Sequence, residues 1–188
     1  MRPRMVLALV VAAAAVVMPL LARANHVDVA DGNDVRGLLD IKRVEMVGVR
    51  KPSFKVNTYG WWTTREVFER GFVLVFFDVR GTERSDYYAL ARSTGSRVVG
   101  TLHRDRPYKP DYRVSWLNAW RVGNRSISIK VPLRKMNFGS ARVVYRWYAE
   151  TLFTGNRCRR VCFDFAPNNE TVTEPRPGAT PSPTTSSG

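Results

Sequence analysis

Six consecutive apolar residues, Phe72-Val73-Leu74-Val75-Phe76-Phe77, set the strongest constraint on this chain. They lack helical spacing, are rich in Val and Phe, and stop at Asp78 in a polar, Gly-containing turn before Tyr87-Tyr88-Ala89-Leu90 resumes. An unbroken run of this length suits a strand buried on both faces. The turn that follows suits a hairpin. The pair reads as the central hairpin of an antiparallel β-sandwich.

The flanking sequence repeats the theme. From Leu39 apolar residues alternate as Leu39 and Ile41, then Val44 and Met46 after a one-residue shift, which places a β-bulge near Lys42-Arg43. Phe54 and Val56 share one face of the next strand. Residues 60–69 are less regular; Thr63 or Thr64 caps one helical turn there, and the segment is expected to lie across an open end as a lid. Residues 96–103, 112–122 and 126–131 read as strands, separated by a loop with Pro107 and Pro110 and by the Gly123-Asn124-Arg125 turn. Val143, Tyr145, Trp147 and Ala149 form one face of the longest alternation, opposite Arg142, Arg146 and Glu150. Eight or nine short strands at regular spacing predict an all-β, jelly-roll-like antiparallel sandwich over residues 34–168.

Both ends differ from this middle. A basic start (Arg2, Arg4), an almost purely apolar run from Val6 to Leu21 and Ala22-Arg23-Ala24 make the three-part pattern of a secretory signal peptide over residues 1–24. The alternative, an uncleaved anchor, fits less well, because a spanning helix needs about 20 apolar residues. Residues 25–33 are polar and read as a flexible mature N-terminus. Residues 169–188 are rich in Pro, Ser and Thr and read as a disordered tail. The expected product is secreted and monomeric, with no membrane span after cleavage.

Two cysteines, Cys158 and Cys162, lie close together in a chain expected to be exported, so a disulfide is expected. The closed loop is short and contributes about 2 kcal/mol by chain entropy. Three intervening residues do not make a redox pair, and the two histidines do not complete a metal site.

With Asp34-Val35-Arg36-Gly37-Leu38-Leu39-Asp40-Ile41, Phe76-Phe77-Asp78, Ser85-Asp86-Tyr87-Tyr88, Ile129-Lys130-Val131-Pro132, Tyr145-Arg146-Trp147-Tyr148 and Cys158-x3-Cys162 in order, the chain resembles a group of secreted actinobacterial proteins. More distantly it is similar to DOMON-like and family-nine carbohydrate-binding jelly rolls. The resemblance covers Asp34 to about Pro167 and implies a β-sandwich, with no established activity. Such relatives often carry an Asp-rich turn after the Phe-Phe-Asp strand. Here Asp78, Glu83 and Asp86 would supply three calcium ligands, but Arg80 and Arg84 stand among them and oppose a cation. A salt-bridged turn without metal is the expectation, and no cofactor is expected.

The net charge is +14, carried mostly by arginine, and removal of residues 1–24 leaves the chain strongly basic. That favours an anionic partner such as a wall polymer, although the cations form no block and also suit a solvated surface. Nucleic acid is disfavoured by the absence of a motif and by the compartment. Catalysis is disfavoured too. His26 lies in the polar terminus and His103 at a strand end, with no nucleophile elbow or metal-binding His motif, and Asp78 with Asp86 sits amid arginines that hold both ionised.

Aromatics offer a sugar platform instead: Trp61, Trp62, Trp116 and Trp120, with Tyr108 and Tyr112. Trp116 and Trp120 share a strand face, and if Trp61-Trp62 are extended at least one is exposed. Trp147 and Tyr145 belong to the core. The expected role is binding of an extracellular polysaccharide or anionic envelope surface, with a structural or adhesive domain as the alternative.

Overall fold

The computed structural model describes residues 25–138, 144–155, 158–168 and 170–178; the segment expected to be a signal peptide and the end of the tail lie outside them. Eleven strands follow one another: β1 (His26–Ala30), β2 (Ile41–Val47), β3 (Ser53–Thr58), β4 (Gly71–Asp78), β5 (Tyr87–Ser93), β6 (Val98–Arg104), β7 (Tyr112–Val122), β8 (Ser126–Lys130), β9 (Val144–Gly155), β10 (Cys158–Ala166) and β11 (Val172–Pro175). All pairings are antiparallel, and the strands make one sheet in the order β1-β2-β3-β8-β7-β6-β5-β4-β9-β10, with β11 also on β9.

The sheet is strongly curled, and β7 is where it changes neighbours. Residues Gly100 to Arg104 of β6 pair with Tyr112 to Leu117, whereas β8 pairs with Asn118 to Val122. Gly100 permits the close approach: a Cβ there would lie 2.9 Å from Ala119 Cβ. The two ends of the curl meet where the Asp164 carboxylate of β10 accepts the N–H of Ile41 at the start of β2.

The inside of the curl is the core. Phe54 of β3 packs edge-to-face on Phe77 of β4 (5.5 Å) and on Trp147 of β9 (5.1 Å), joining the two halves. Tyr145 sends its hydroxyl to Met46 Sδ, 3.7 Å away. The β4–β5 hairpin, the bulge between Ile41 and Arg43, and the Cys158–Cys162 disulfide (Cα–Cα 5.9 Å) stand where the sequence places them. Residues 60–70 close one end. Thr63 Oγ1 accepts the Glu66 N–H and the Glu66 carboxylate accepts the Thr63 N–H, a reciprocal cap. Trp62 and Val67 are thereby set into the core.

Three expectations are corrected. The segment 25–33 is not free, because β1 pairs with β2 from His26–Val47 to Ala30–Arg43. The tail contributes β11. Strand β10 pairs with β9 only from Ala149 onward, and β11 takes Val144 to Trp147, the stretch β10 leaves without a partner on that side. The domain thus extends beyond 34–168 at both ends. Finally, β4 is not buried on both faces. Val73, Val75 and Phe77 are in the core, while Phe72, Leu74 and Phe76 lie half-buried on the outer face.

Candidate functional site

Strand β7 presents the largest aromatic side chains on the outer surface. Its alternation turns Leu117 and Ala119 toward the core and Trp116, Asn118 and Trp120 outward. Three residues lie between the two tryptophans, so they stand about 13 Å apart along the strand. Trp116 is 61% exposed and Trp120 40%. They border an open cleft of about 690 Å³, with Thr64, Arg97, Asn118 and Arg121 also in its walls. A bulge between Leu102 and His103 places Arg113 opposite His103, and its guanidinium lies 4.3 Å from the Trp116 ring centre.

The other aromatics expected in a sugar platform are scattered. Trp61 is 64% exposed but stands beside Arg125 of the β7–β8 turn, 5.1 Å from ring to guanidinium, and does not line the cleft. Trp62 is only 3% exposed and cannot meet a ligand; Arg121 covers its ring at 5.0 Å and donates to its carbonyl. The adjacent pair thus splits between surface and core, as alternation requires. Tyr112, at the other end of β7, carries Arg106 on its ring (4.9 Å), and Tyr108 projects into solvent from the Pro loop.

Behind Trp116 runs a row of rings that pattern reading did not find. Phe165, Tyr148, Phe76, Tyr88 and His103 follow one another across β10, β9, β4, β5 and β6 on the outer face. Centroid separations are 6.4, 4.9, 5.7 and 5.0 Å. Phe76 lies directly opposite both Tyr148 and Tyr88, and Tyr88 opposite His103. The rings align only through cross-strand register, which a linear sequence does not display. Burial, then the hydrogen bond to Asp111, pushes the Tyr88 hydroxyl up to about 12. Burial pulls His103 below its usual value; Asp111 opposes this and Arg113 adds to it. Thr101 Oγ1 lies 3.0 Å from His103 Nε2.

Carboxylates gather in two places. At the β4–β5 turn, Asp78 Oδ1 accepts N–H groups of Arg80, Gly81 and Thr82, and Asp86 Oδ2 accepts those of Val79 and Arg80. Asp86 Oδ1 meets Arg104 (3.3 Å) and Arg80 (3.6 Å). These oxygens hold a turn together, and Glu83 sits in that turn at φ 63. At the seam of the curl, Asp31, Asp34, Asp40 and Asp164 each bring a carboxylate oxygen within 4.8 Å of the others. Asp40 and Asp164 are almost wholly buried. Burial, chiefly, and neighbouring acids raise Asp40 to about 6 and Asp164 to about 7. The density of acids over residues 28–40 of so basic a chain was the available signal; Asp164 joins them only through the fold.

Compared with known proteins, the chain matches no family model, no curated protein and no solved structure.

Proposed function

We propose that this is an exported, monomeric, non-catalytic domain whose outer β6–β7 face binds an extended anionic polysaccharide of the cell envelope. One observation carries the reading: Trp116 and Trp120 stand in one exposed row with Arg113, Arg97 and Arg121 around them. Indole faces stack on the apolar faces of sugar rings, and guanidinium forks pair with carboxylate or phosphate groups in the plane between. The spacing along β7 suits two separate rings of one chain. The open, shallow cleft suits a polymer better than a small molecule, which prefers a concave pocket. No reaction is assigned. The sheet residue Thr101 is buried beside His103, and among the described residues no carboxylate hydrogen-bonds that imidazole.

The test is retention of the purified chain on insoluble cell wall and on acidic and neutral polysaccharides, at low and high salt. The expected result is retention on the anionic polymers, weakened but not abolished by salt, and lost in Trp116→Ala and Trp120→Ala. Trp61→Ala should bind as the parent does. Retention indifferent to both β7 substitutions would overturn the assignment of this face. Retention on neutral polymers alone would overturn the anionic ligand.

A further inference from the structure

We propose that Asp31, Asp34, Asp40 and Asp164 form a calcium site that clamps the seam where the two ends of the sheet meet. Asp31 and Asp34 come from the β1–β2 connection, Asp40 immediately precedes β2, and Asp164 lies on β10. The four are therefore held by two segments, the β1–β2 connection and β10. Two bonds from Tyr59 fix the loop: its hydroxyl donates to the Asp31 carbonyl and its N–H to the Asp40 carbonyl, both at 2.9 Å. The positions are set by backbone, not by mutual attraction of the carboxylates.

Mere crowding of acids would not indicate a ligand, and Asp164 accepts the N–H groups of Ile41 and Phe165; the oxygens left without a partner do. Asp40 is 3% exposed, and its Oδ1 is buried with no hydrogen-bond partner; Asp31 Oδ2 is likewise without one. The chain carries a large excess of cations, yet among the described residues the ion pairs lie elsewhere, on Asp28, Glu45 and Asp86. A buried carboxylate oxygen without a donor or cation is costly. A proton shared by Asp40 and Asp164 relieves only that pair; a cation at the centre satisfies all four residues together.

The donor set selects the ion. Every ligand is oxygen, with no His or Cys, which suits a hard cation. Oxygens on opposite sides of a calcium ion stand about 4.6–5.2 Å apart, and the cluster fits inside that span. Magnesium needs a tighter octahedron and gives up its waters reluctantly. Asn168 stands beside the cluster, its amide nitrogen 2.9 Å from Asp31 Oδ1 and 3.4 Å from Asp34 Oδ2. Turning that amide over would present a further oxygen to the ion.

The purified full chain, stripped with chelator, is titrated with calcium chloride and then magnesium chloride by calorimetry, and its thermal unfolding is followed in each. The expected result is one calcium per chain, a rise in Tm of several degrees, and magnesium binding at least about tenfold weaker. Asp34 is exposed, so Asp34→Asn folds and should weaken calcium binding about tenfold or more while its Tm in chelator matches the parent's. No heat and no change in Tm up to about 10 mM calcium, a range that covers weak extracellular sites, would overturn the site. Parental affinity in Asp34→Asn would overturn the ligand set, and equal magnesium affinity would overturn the ion.

Discussion

The two faces of the β9–β4–β5 sheet are built from the same residue types and treated differently. Inside, Val73, Val75, Phe77, Tyr145 and Trp147 are sealed against the opposite half of the curl. Outside, Phe72, Leu74, Phe76, Tyr88 and Tyr148 touch mainly their neighbours on the same face, and water reaches them. Hydrophobicity alone does not separate the two sets. What separates them is a partner layer: the inner rings have one in Phe54, whereas among the described residues the outer rings stack on one another. The difference predicts that equal substitutions on the two faces have unequal consequences.

The largest expected effect is inside. Phe77→Ala or Trp147→Ala removes a fully buried ring from the contact between the halves and should cost about 3–5 kcal/mol in denaturant unfolding, a large share of the about 5–15 kcal/mol of an ordinary domain. Phe76→Ala, one residue from Phe77, removes a half-buried ring with two cross-strand partners. It should cost about 1–2 kcal/mol, from partial burial and the loss of two ring pairs. If Phe76→Ala costs as much as Phe77→Ala, the outer face is covered in solution, and unfolding should then depend on protein concentration.

A pH effect sharpens the comparison at the far end of the ring row. His103 titrates below its usual 6.5 because burial disfavours the imidazolium. The folded state therefore binds this proton less tightly than the unfolded chain. Its contribution to stability is complete above the unfolded value and is lost as pH falls through that value toward the folded one. A proton-resonance titration should place His103 below about 6.5. Unfolding of the parent compared with His103→Gln between about pH 7.5 and 5 should show the histidine's own contribution falling with pH, against the opposite trend from Asp40 and Asp164, whose raised values favour the fold toward low pH. A His103 that titrates at or above 6.5 would mean that Asp111 outweighs burial.

Much of this molecule is legible in the sequence, for reasons that lie in particular residues. Period-two alternation at Phe54-Val56 and along β9 reports which side chains face the core, because each of these strands has one wetter face; at Ile127-Ile129 only the polarity alternates, since Ser126 and Ser128 are buried as well. The run from Phe72 to Phe77 carries no such contrast, so it reads as doubly buried when only one face is. Strands β1 and β11 escape for a different reason. Each is short and only partly apolar, and each exists to complete the pairing of a longer neighbour, β2 or β9. The sites divide in the same way. Trp116 and Trp120 sit on one strand, so their common face follows from spacing alone. The ring row assembles from five strands and Asp164 joins three aspartates of the β1–β2 connection only through the fold, while the acids near Asp78 were the more visible cluster although their oxygens serve a turn.

The smallest effect on stability is expected to accompany the largest effect on binding. Trp116 is exposed on β7, and losing it uncovers little that was dry. Trp116→Ala should change unfolding by no more than about 0.5 kcal/mol, the range of exposed positions. Arg113 loses the ring beneath its guanidinium, but an exposed cation–π pair contributes only about 0.5–1 kcal/mol, and part of that returns as hydration. Retention on anionic polysaccharide should nonetheless fall sharply if, as we propose, the ring and the guanidinium act on one ligand together. A Trp116→Ala chain that binds normally but unfolds easily would reverse the comparison. It would place Trp116 with Phe77 as a packing residue and move the binding surface elsewhere on the outer face.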